Sequence, residues 1–445
     1  MTRTRILLVT VATALASVVA LLGGVLGDVA PPAAATGRPP VEQRTSQELL
    51  GELLTGIEDG KTDRYVRRLE QRAAGHRGDA DTLTLLGFGY QQRARETADP
   101  AYYDRSEYAL RRAGELGGDA SLVNTGLATL AVSRHRFRAA IRLARRALRA
   151  DGENAAAYGA LGDGLANIGR YREAFRAFDR MAELSPSIAS YARVAYAREL
   201  LGRPRSAEEA AELALELNSS IPEHVAATLV QLGTIRLNAG QPMRARAAFA
   251  QALRSVPGNL RAEAGLARVE AASGRYVTAV KRLRRVVAAL PLPEYAIWLG
   301  DALTAAGRSG DARRAYALVE TIERLFAANG VRTDLQTAVF DLDHGRRPAD
   351  ALRRARRAYD AGPSIQAADV LAWGLVRNGR CRDARRYSER ALRLGTLDGL
   401  MFFHRGMIER CLGREEAAGR WFARALDTNP HFSLIWAPVA RRYAS

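Results

Sequence analysis

Residue types that could do covalent or acid–base chemistry are few and scattered in this sequence. The two cysteines, Cys381 and Cys411, could form a disulfide or remain as two small buried thiols. Metal binding by Cys411 and His404 is a third interpretation, but two ligands seven residues apart do not close a zinc site. None of the six histidines forms an H-x-x-x-H pair with a glutamate in between. The sequence therefore shows no recognisable metal centre.

Motifs for nucleotide binding and acyl transfer are also missing. Gly162-Asp163-Gly164 resembles the start of a phosphate-binding loop, but it lies within a segment of helical periodicity and lacks the third glycine and the following Lys-Ser/Thr. No G-x-S-x-G nucleophile motif occurs. We therefore predict that this protein is not an enzyme and holds no cofactor or metal.

The elements that carry these residues follow a repeat. Eight glycines recur at spacings of 33, 38, 34, 33, 38, 34 and 34 residues, and arginine follows seven of them. They are Gly169, Gly202, Gly240, Gly274, Gly307, Gly345, Gly379 and Gly413. An amphipathic helix is predicted before each glycine and an alanine-rich helix after it. A period of about 34 residues indicates stacked helical hairpins, so we predict an all-α solenoid.

One unit shows the pattern most clearly, and it resembles a known family. Small residues stand where its helices cross (Gly162 and Ala174), an aromatic residue, Phe178, lies in its second helix, and Pro186 ends it. This pattern resembles the tetratricopeptide repeat, and it implies a right-handed superhelix of about ten hairpins over residues 80–430. Residues 41–79 are interpreted as a degenerate helical pair, and residues 431–445 as a segment that caps the last hairpin.

Two irregularities predict local differences between hairpins. Residues 95–101 are expected to lengthen the loop inside the first hairpin by about seven residues, because they exceed the usual repeat length. Two hairpins have a turn glycine that is 38 residues from the next one. They are expected to have long second helices, at 207–217 and at 312–327.

The amino terminus differs from the repeats. Arg3 and Arg5 precede the uncharged segment 6–26, and the triplet Ala33-Ala34-Ala35 follows it. Residues 1–40 are therefore predicted to be either a cleaved signal peptide or a membrane anchor with a Pro/Ala-rich linker. In both cases the repeats would be exported, because the arginines favour a cytoplasmic amino end.

The net charge of +18 raises the question of an anionic partner. Basic residues recur in phase on the second helices, which places them on the outer, convex face: Arg142, Arg145, Arg146, Arg149, Lys281, Arg282, Arg284, Arg285, Arg353, Arg354, Arg356 and Arg357. They form either a solvated face or an attachment to anionic lipid or cell-wall polymer. Nucleic acid is not expected, because no aromatic residues are interleaved with them.

The family resemblance implies that first-helix side chains line a concave groove that binds extended peptides. Near the carboxyl end the projected groove residues are Phe340, Asp343, Asp369, Trp373, Arg377, Phe403, Met407 and Arg410. The aromatic members could pack between repeats or anchor a peptide. The leading interpretation is a non-enzymatic scaffold of the extracytoplasmic face that binds a protein or peptide in this groove. A surface adaptor that acts through the convex arginines is the alternative.

The repeat also predicts how the two cysteines lie relative to each other. Cys381 follows one turn glycine and Cys411 precedes another in the adjacent unit, and a solenoid stacks equivalent turns side by side. We therefore expect a disulfide, which an oxidising compartment would favour.

Overall fold

The computed structural model describes residues 48–49, 51–53, 62–76, 78–217 and 222–444. The predicted signal or anchor lies outside these residues, as does most of segment 41–61. Helix α1 spans Thr62–Gly75 and precedes the repeats. The described ranges contain no strand, and none of their helices is both long and apolar enough to cross a bilayer.

Ten helical hairpins follow α1, and we number them hairpins 1–10. Their helices are α2 Ala80–Thr97 with α3 Ala101–Glu115, α4 Ala120–Ser133 with α5 Phe137–Ala150, α6 Ala155–Asn167 with α7 Tyr171–Leu184, α8 Ile188–Leu200 with α9 Pro204–Glu216, α10 Pro222–Asn238 with α11 Pro242–Ser255, α12 Leu260–Ala272 with α13 Tyr276–Ala289, α14 Pro293–Ala305 with α15 Ser309–Ala328, α16 Asp334–Asp343 with α17 Pro348–Ala361, α18 Ile365–Val376 with α19 Cys381–Ala391, and α20 Gly399–Cys411 with α21 Glu415–Thr428. A short helix, α22 (Ala437–Tyr443), ends the array. The predicted all-α solenoid is confirmed.

The first helices lie on the inner side of the solenoid. Most consecutive first helices pack against each other, whereas no comparable packing joins consecutive second helices. Closer spacing on one side curves the array toward that side. The first helices therefore form the concave face and the second helices the convex face.

Glycine on the first helix makes room for an aromatic ring from the second. A Cβ atom on Gly162 would lie 2.4 Å from the Phe178 ring, and one on Gly406 would lie 2.5 Å from the Phe422 ring. Both rings are fully buried. The close helix crossing therefore depends on glycine having no Cβ atom, because any Cβ at these positions would displace the ring.

The periodic glycines end the first helices. Gly169 has φ +76°, and its neighbour Arg170 donates its N–H to the Leu165 carbonyl, as in a Schellman cap. Hairpins 1 and 2 lack the glycine, and Ala98 (φ +58°) and His135 (φ +55°) adopt the left-handed conformation instead. These substitutions explain why the glycine spacing in the sequence begins only at hairpin 3.

Successive turns of the superhelix contact each other along a seam. The turn inside each of hairpins 3, 4 and 5 meets the loop that follows hairpins 8, 9 and 10, respectively. A Cβ on Gly202 would lie 2.2 Å from the carbonyl oxygen of Gly395, and one on Gly169 would lie 2.4 Å from that of Pro363. The two backbones therefore approach as closely as glycine allows.

Polar groups join the two sides of this seam. The Ile365 N–H donates to the Tyr171 hydroxyl at 2.7 Å, and the Asn429 amide donates to the Leu237 carbonyl at 3.0 Å. Near hairpin 2, the Arg332 N–H lies 3.4 Å from the Arg134 carbonyl oxygen. The seam thus satisfies loop groups that an open superhelix would leave to water.

One prediction of local length was wrong, and a second was confirmed in hairpin 7 but wrong in hairpin 4. The extra residues of hairpin 1 extend α2 to Thr97 and leave only three residues before α3, so the loop is short. The second helix of hairpin 4 ends at Glu216 after 13 residues, whereas that of hairpin 7 has 20. Good helix formers at residues 92–97 account for the first difference, because continuing the helix satisfies their backbone groups.

The cysteines lie at the same end of hairpins 9 and 10. Cys381 begins α19 and Cys411 ends α20, and their Cα atoms are 5.9 Å apart. Their sulfur atoms are within bonding distance and form a disulfide. The stacking of equivalent turns therefore brings the two cysteines together.

Candidate binding site on the concave face

The concave face of hairpins 8–10 places the predicted groove residues on α16, α18 and α20. Phe340, Trp373 and Phe403 are at most 2% exposed, and Asp369 is also buried. Asp343, Arg377, Met407 and Arg410 are partly buried. The three aromatic rings therefore pack between repeats and are not open anchors. This burial supports the packing interpretation, and a residue from beyond the repeats also covers Trp373 and Phe403.

That residue is Trp436, from the segment between α21 and α22. Its indole N–H donates to Asp343 Oδ1 at 3.1 Å, and the indole of Trp373 donates to the same oxygen at 3.0 Å. The Trp436 ring lies 5.3 Å from the Phe403 ring and 5.5 Å from the Trp373 ring. The Arg377 guanidinium lies over both indoles. We call the space enclosed by Asp343, Trp373, Arg377 and Phe403 the indole slot.

A buried histidine supports the back of the slot. His404 stacks on Trp373 with ring centroids 4.6 Å apart, and its Nδ1 lies 2.9 Å from Asp369 Oδ2. Burial alone would lower the pKa of His404, but Asp369, together with Asp343 and Asp398, raises it above the ordinary value. Sequence reasoning missed His404 as a site residue. Its position next to Phe403 on a first helix was the available signal.

Carboxylates in the groove are partly desolvated. Burial raises the pKa of Asp343, although His404 and the Trp436 indole act in the opposite direction. Burial also raises the pKa of Asp398, before α20, and, on α8 of hairpin 4, raises that of Glu199 to about 7. This end of the groove is therefore acidic but not fully hydrated, which strengthens hydrogen bonds donated to it.

A second histidine–carboxylate pair lies two repeats away, between hairpins 7 and 8. His344 Nε2 lies 2.9 Å from Asp301 Oδ1, which also accepts a hydrogen bond from the Tyr316 hydroxyl at 2.8 Å. Burial opposes protonation of His344, but Asp301 raises its pKa above the ordinary value. This pair fixes the ring of His344 against Phe340, at 4.7 Å between centroids. The His344–Asp301 pair therefore holds these two rings in position in the wall of the groove.

The side chains around Trp436 form an aromatic enclosure with a carboxylate at its base. Within the described part of the chain, no group of three or more His, Cys, Asp or Glu side chains could hold a metal ion. Asp343 instead supplies a hydrogen-bond acceptor at the base of an aromatic enclosure. Such an enclosure fits a flat ring that carries an N–H donor.

The convex basic residues differ in how far nearby carboxylates neutralise them. Arg282 is half-buried and donates to Glu263 and to Glu270, and Arg357 donates to Asp334. Arg353 pairs with Asp350. By contrast, Arg142, Arg145, Arg146 and Arg149 on α5 are exposed, and no carboxylate of the described residues lies within 4.0 Å of them. Among the described residues, the α5 arginines therefore have no carboxylate at contact distance, and the same holds for Lys281 and Arg356 elsewhere on the convex face.

Comparisons with known proteins agree with the hairpin architecture. Sequence models described as tetratricopeptide repeat match residues 125–187, 236–298 and 370–431. No curated protein matches the chain.

Solved structures with similar folds share little sequence with it. The human IFIT1 dimer with PPP-AAAA is 13% identical with a TM-score of 0.45, over 85% of this chain and 93% of that one. PilW, a widely conserved type IV pilus biogenesis factor, is 18% identical with a TM-score of 0.38, over 45% and 92%. A tetratricopeptide repeat protein from Parabacteroides merdae is 18% identical with a TM-score of 0.34, over 58% and 98%. With ten stacked hairpins and matched repeats at the start, middle and end of the array, this chain is a tetratricopeptide repeat protein.

Proposed function

We propose that this protein is a non-enzymatic scaffold that binds a protein or peptide partner on the concave face of hairpins 8–10, outside the cytoplasm. Tetratricopeptide repeats are protein-interaction scaffolds, which supports the general role. The observation that carries the specific site is the indole slot, because it already holds a side chain from outside the repeats through Asp343 and Phe403.

The extracytoplasmic location is part of this proposal. Arg3 and Arg5 with the uncharged segment that follows them are typical of an export signal or anchor. The disulfide between Cys381 and Cys411 supports the same location, because disulfides persist in oxidising compartments.

A second candidate function rests on the α5 arginines. Arg142, Arg145, Arg146 and Arg149 present unneutralised charge on the convex face, which would attract anionic lipid or cell-wall polymer. In this case the protein would be a surface adaptor, and its binding would weaken steeply with salt because the charges are exposed.

Parallel capture experiments separate the two functions. The immobilised full-length chain is compared with a concave variant (Arg377→Ala with Met407→Ala) and a convex variant with the four α5 arginines changed to glutamate, each against the same solubilised envelope fraction. The scaffold predicts a discrete protein that the concave variant loses at least 10-fold and the convex variant keeps at high salt. Loss of binding only in the convex variant, with lipid or polymer as the retained material, would establish the adaptor instead.

A further inference from the structure

We propose that the indole slot recognises a tryptophan side chain of the partner, and that Trp436 of the chain itself occupies the slot as an internal competitor. This inference rests on the proposed function and adds the chemical feature that the groove partner must present.

The slot selects for an indole by shape and by hydrogen bonding. The Trp436 ring lies nearly parallel to Phe403, with 25° between the planes, and nearly perpendicular to Trp373, at 85°. Its N–H points at Asp343 Oδ1, while the Arg377 guanidinium lies over the ring, 5.9 Å from its centroid. A phenylalanine ring would fill part of the same space but leave the desolvated carboxylate of Asp343 without one of its donors.

The segment that carries Trp436 is attached to the groove by side chains. Among the described residues, the backbone hydrogen bonds of residues 431–436 run within the segment or to Asn429 and the start of α22. Ser433 Oγ accepts the N–H groups of Ile435 and Trp436, which holds the turn together locally. The Phe432 ring contacts Phe403 at 5.8 Å. Leaving the slot would therefore break ring contacts and one hydrogen bond, but no backbone ladder.

Helix α22 has contacts of its own with the last hairpin, although its first hydrogen bond runs from the Ala440 N–H to the Trp436 carbonyl. Ala440 is fully buried against the last hairpin, and Tyr443 contacts Phe422 at 5.9 Å and lies under the Arg410 guanidinium. These contacts do not involve the indole of Trp436. The segment thus resembles a tethered ligand, whose effective concentration at the slot is on the order of millimolar. An external ligand must compete with that concentration.

A peptide competition experiment tests the proposal. The probe is a fluorescently labelled synthetic peptide of residues 429–438, titrated against the full-length wild-type chain and against Trp436→Ala. We expect the variant to bind the peptide at least 10-fold more tightly than the wild type, because its slot is open. A peptide with phenylalanine in place of the tryptophan should bind the variant at least 10-fold more weakly than the parent peptide.

Two further variants serve as controls. Trp421→Ala removes an indole of the last hairpin outside the slot and should bind the peptide as weakly as the wild type. Trp436→Phe retains a ring in the slot and should give intermediate affinity, which keeps the test usable if Trp436→Ala does not fold. Equal binding of the peptide by wild type and Trp436→Ala, no binding by either, or equal affinity for the tryptophan and phenylalanine peptides would each overturn the inference. If the concave variant nevertheless loses a captured partner, the proposed function stands without this inference.

Discussion

At the scale of single residues, burial decides which groove side chains can act. His404 and Asp369 are both buried and bonded to each other, and each also has a buried atom without a hydrogen-bond partner, Nε2 and Oδ1 respectively. In a buried ion pair, each charge offsets the desolvation cost of the other. Removing one partner therefore leaves the other as an uncompensated buried charge.

Substitution of Asp369 by Asn should therefore destabilise the protein in a pH-dependent way. The folded pKa of His404 is raised, so the stabilisation that protonation brings is fully present below its unfolded pKa of 6.5 and is lost as pH rises through the folded value. We expect a loss of about 3 kcal/mol in the free energy of unfolding at pH 5.5 and a smaller loss at pH 9. Urea titrations at both pH values measure the difference.

The control for this change is Asp383→Asn, whose carboxylate pairs with Arg380 on the surface. That variant should change stability by less than about 0.5 kcal/mol at either pH. An equal loss of stability for Asp369→Asn at pH 5.5 and pH 9 would contradict the raised pKa of His404.

At the scale of elements, each hairpin is stabilised by contacts that recur with the repeat, and hairpins 9 and 10 have a covalent link in addition. The disulfide joins the start of α19 to the end of α20, so it couples two adjacent hairpins near the candidate site. Its effect should therefore be largest on the carboxyl-terminal end of the array, where terminal repeats have a neighbour on one side only.

Replacement of both cysteines by serine should lower the stability of this end by about 3–4 kcal/mol, because the unfolded chain regains the entropy of the closed loop. Hydrogen exchange of α19–α21 in the wild type and in the double variant measures the change, with α6 and α7 as the internal reference. The oxidised wild type should also show no thiol that reacts with a maleimide after denaturation. Two reactive thiols in protein isolated without reductant would contradict the disulfide.

At the scale of the whole molecule, the seam joins successive turns of the superhelix. Turn glycines with similar φ values fall into two groups, those that meet the next superhelical turn and those that do not. Gly202 approaches the Gly395 carbonyl, whereas Gly274 has no atom within 4 Å of the position where a Cβ would lie. Both have φ near +70° (+67° and +74°), so they form a matched pair.

We expect Gly274→Ala to cost about 1 kcal/mol through backbone strain alone, and Gly202→Ala to cost about 1–3 kcal/mol more because the methyl group separates the two turns. Small-angle X-ray scattering should show a larger radius of gyration for Gly202→Ala only. If both variants lose the same stability and keep the wild-type dimensions, the seam does not stabilise the closed superhelix in solution.

The hairpins could be predicted from the amino-acid sequence because their signals are local. Turn glycines such as Gly169 and small–aromatic pairs such as Gly162 with Phe178 involve residues of a single repeat, so periodicity was enough to predict the solenoid and the meeting of Cys381 with Cys411. The seam and the occupation of the groove by Trp436 became visible only in the folded chain. The seam depends on small rotations summed over several hairpins, and the indole slot combines side chains from Asp343 to Trp436, so no local pattern in the sequence could specify either.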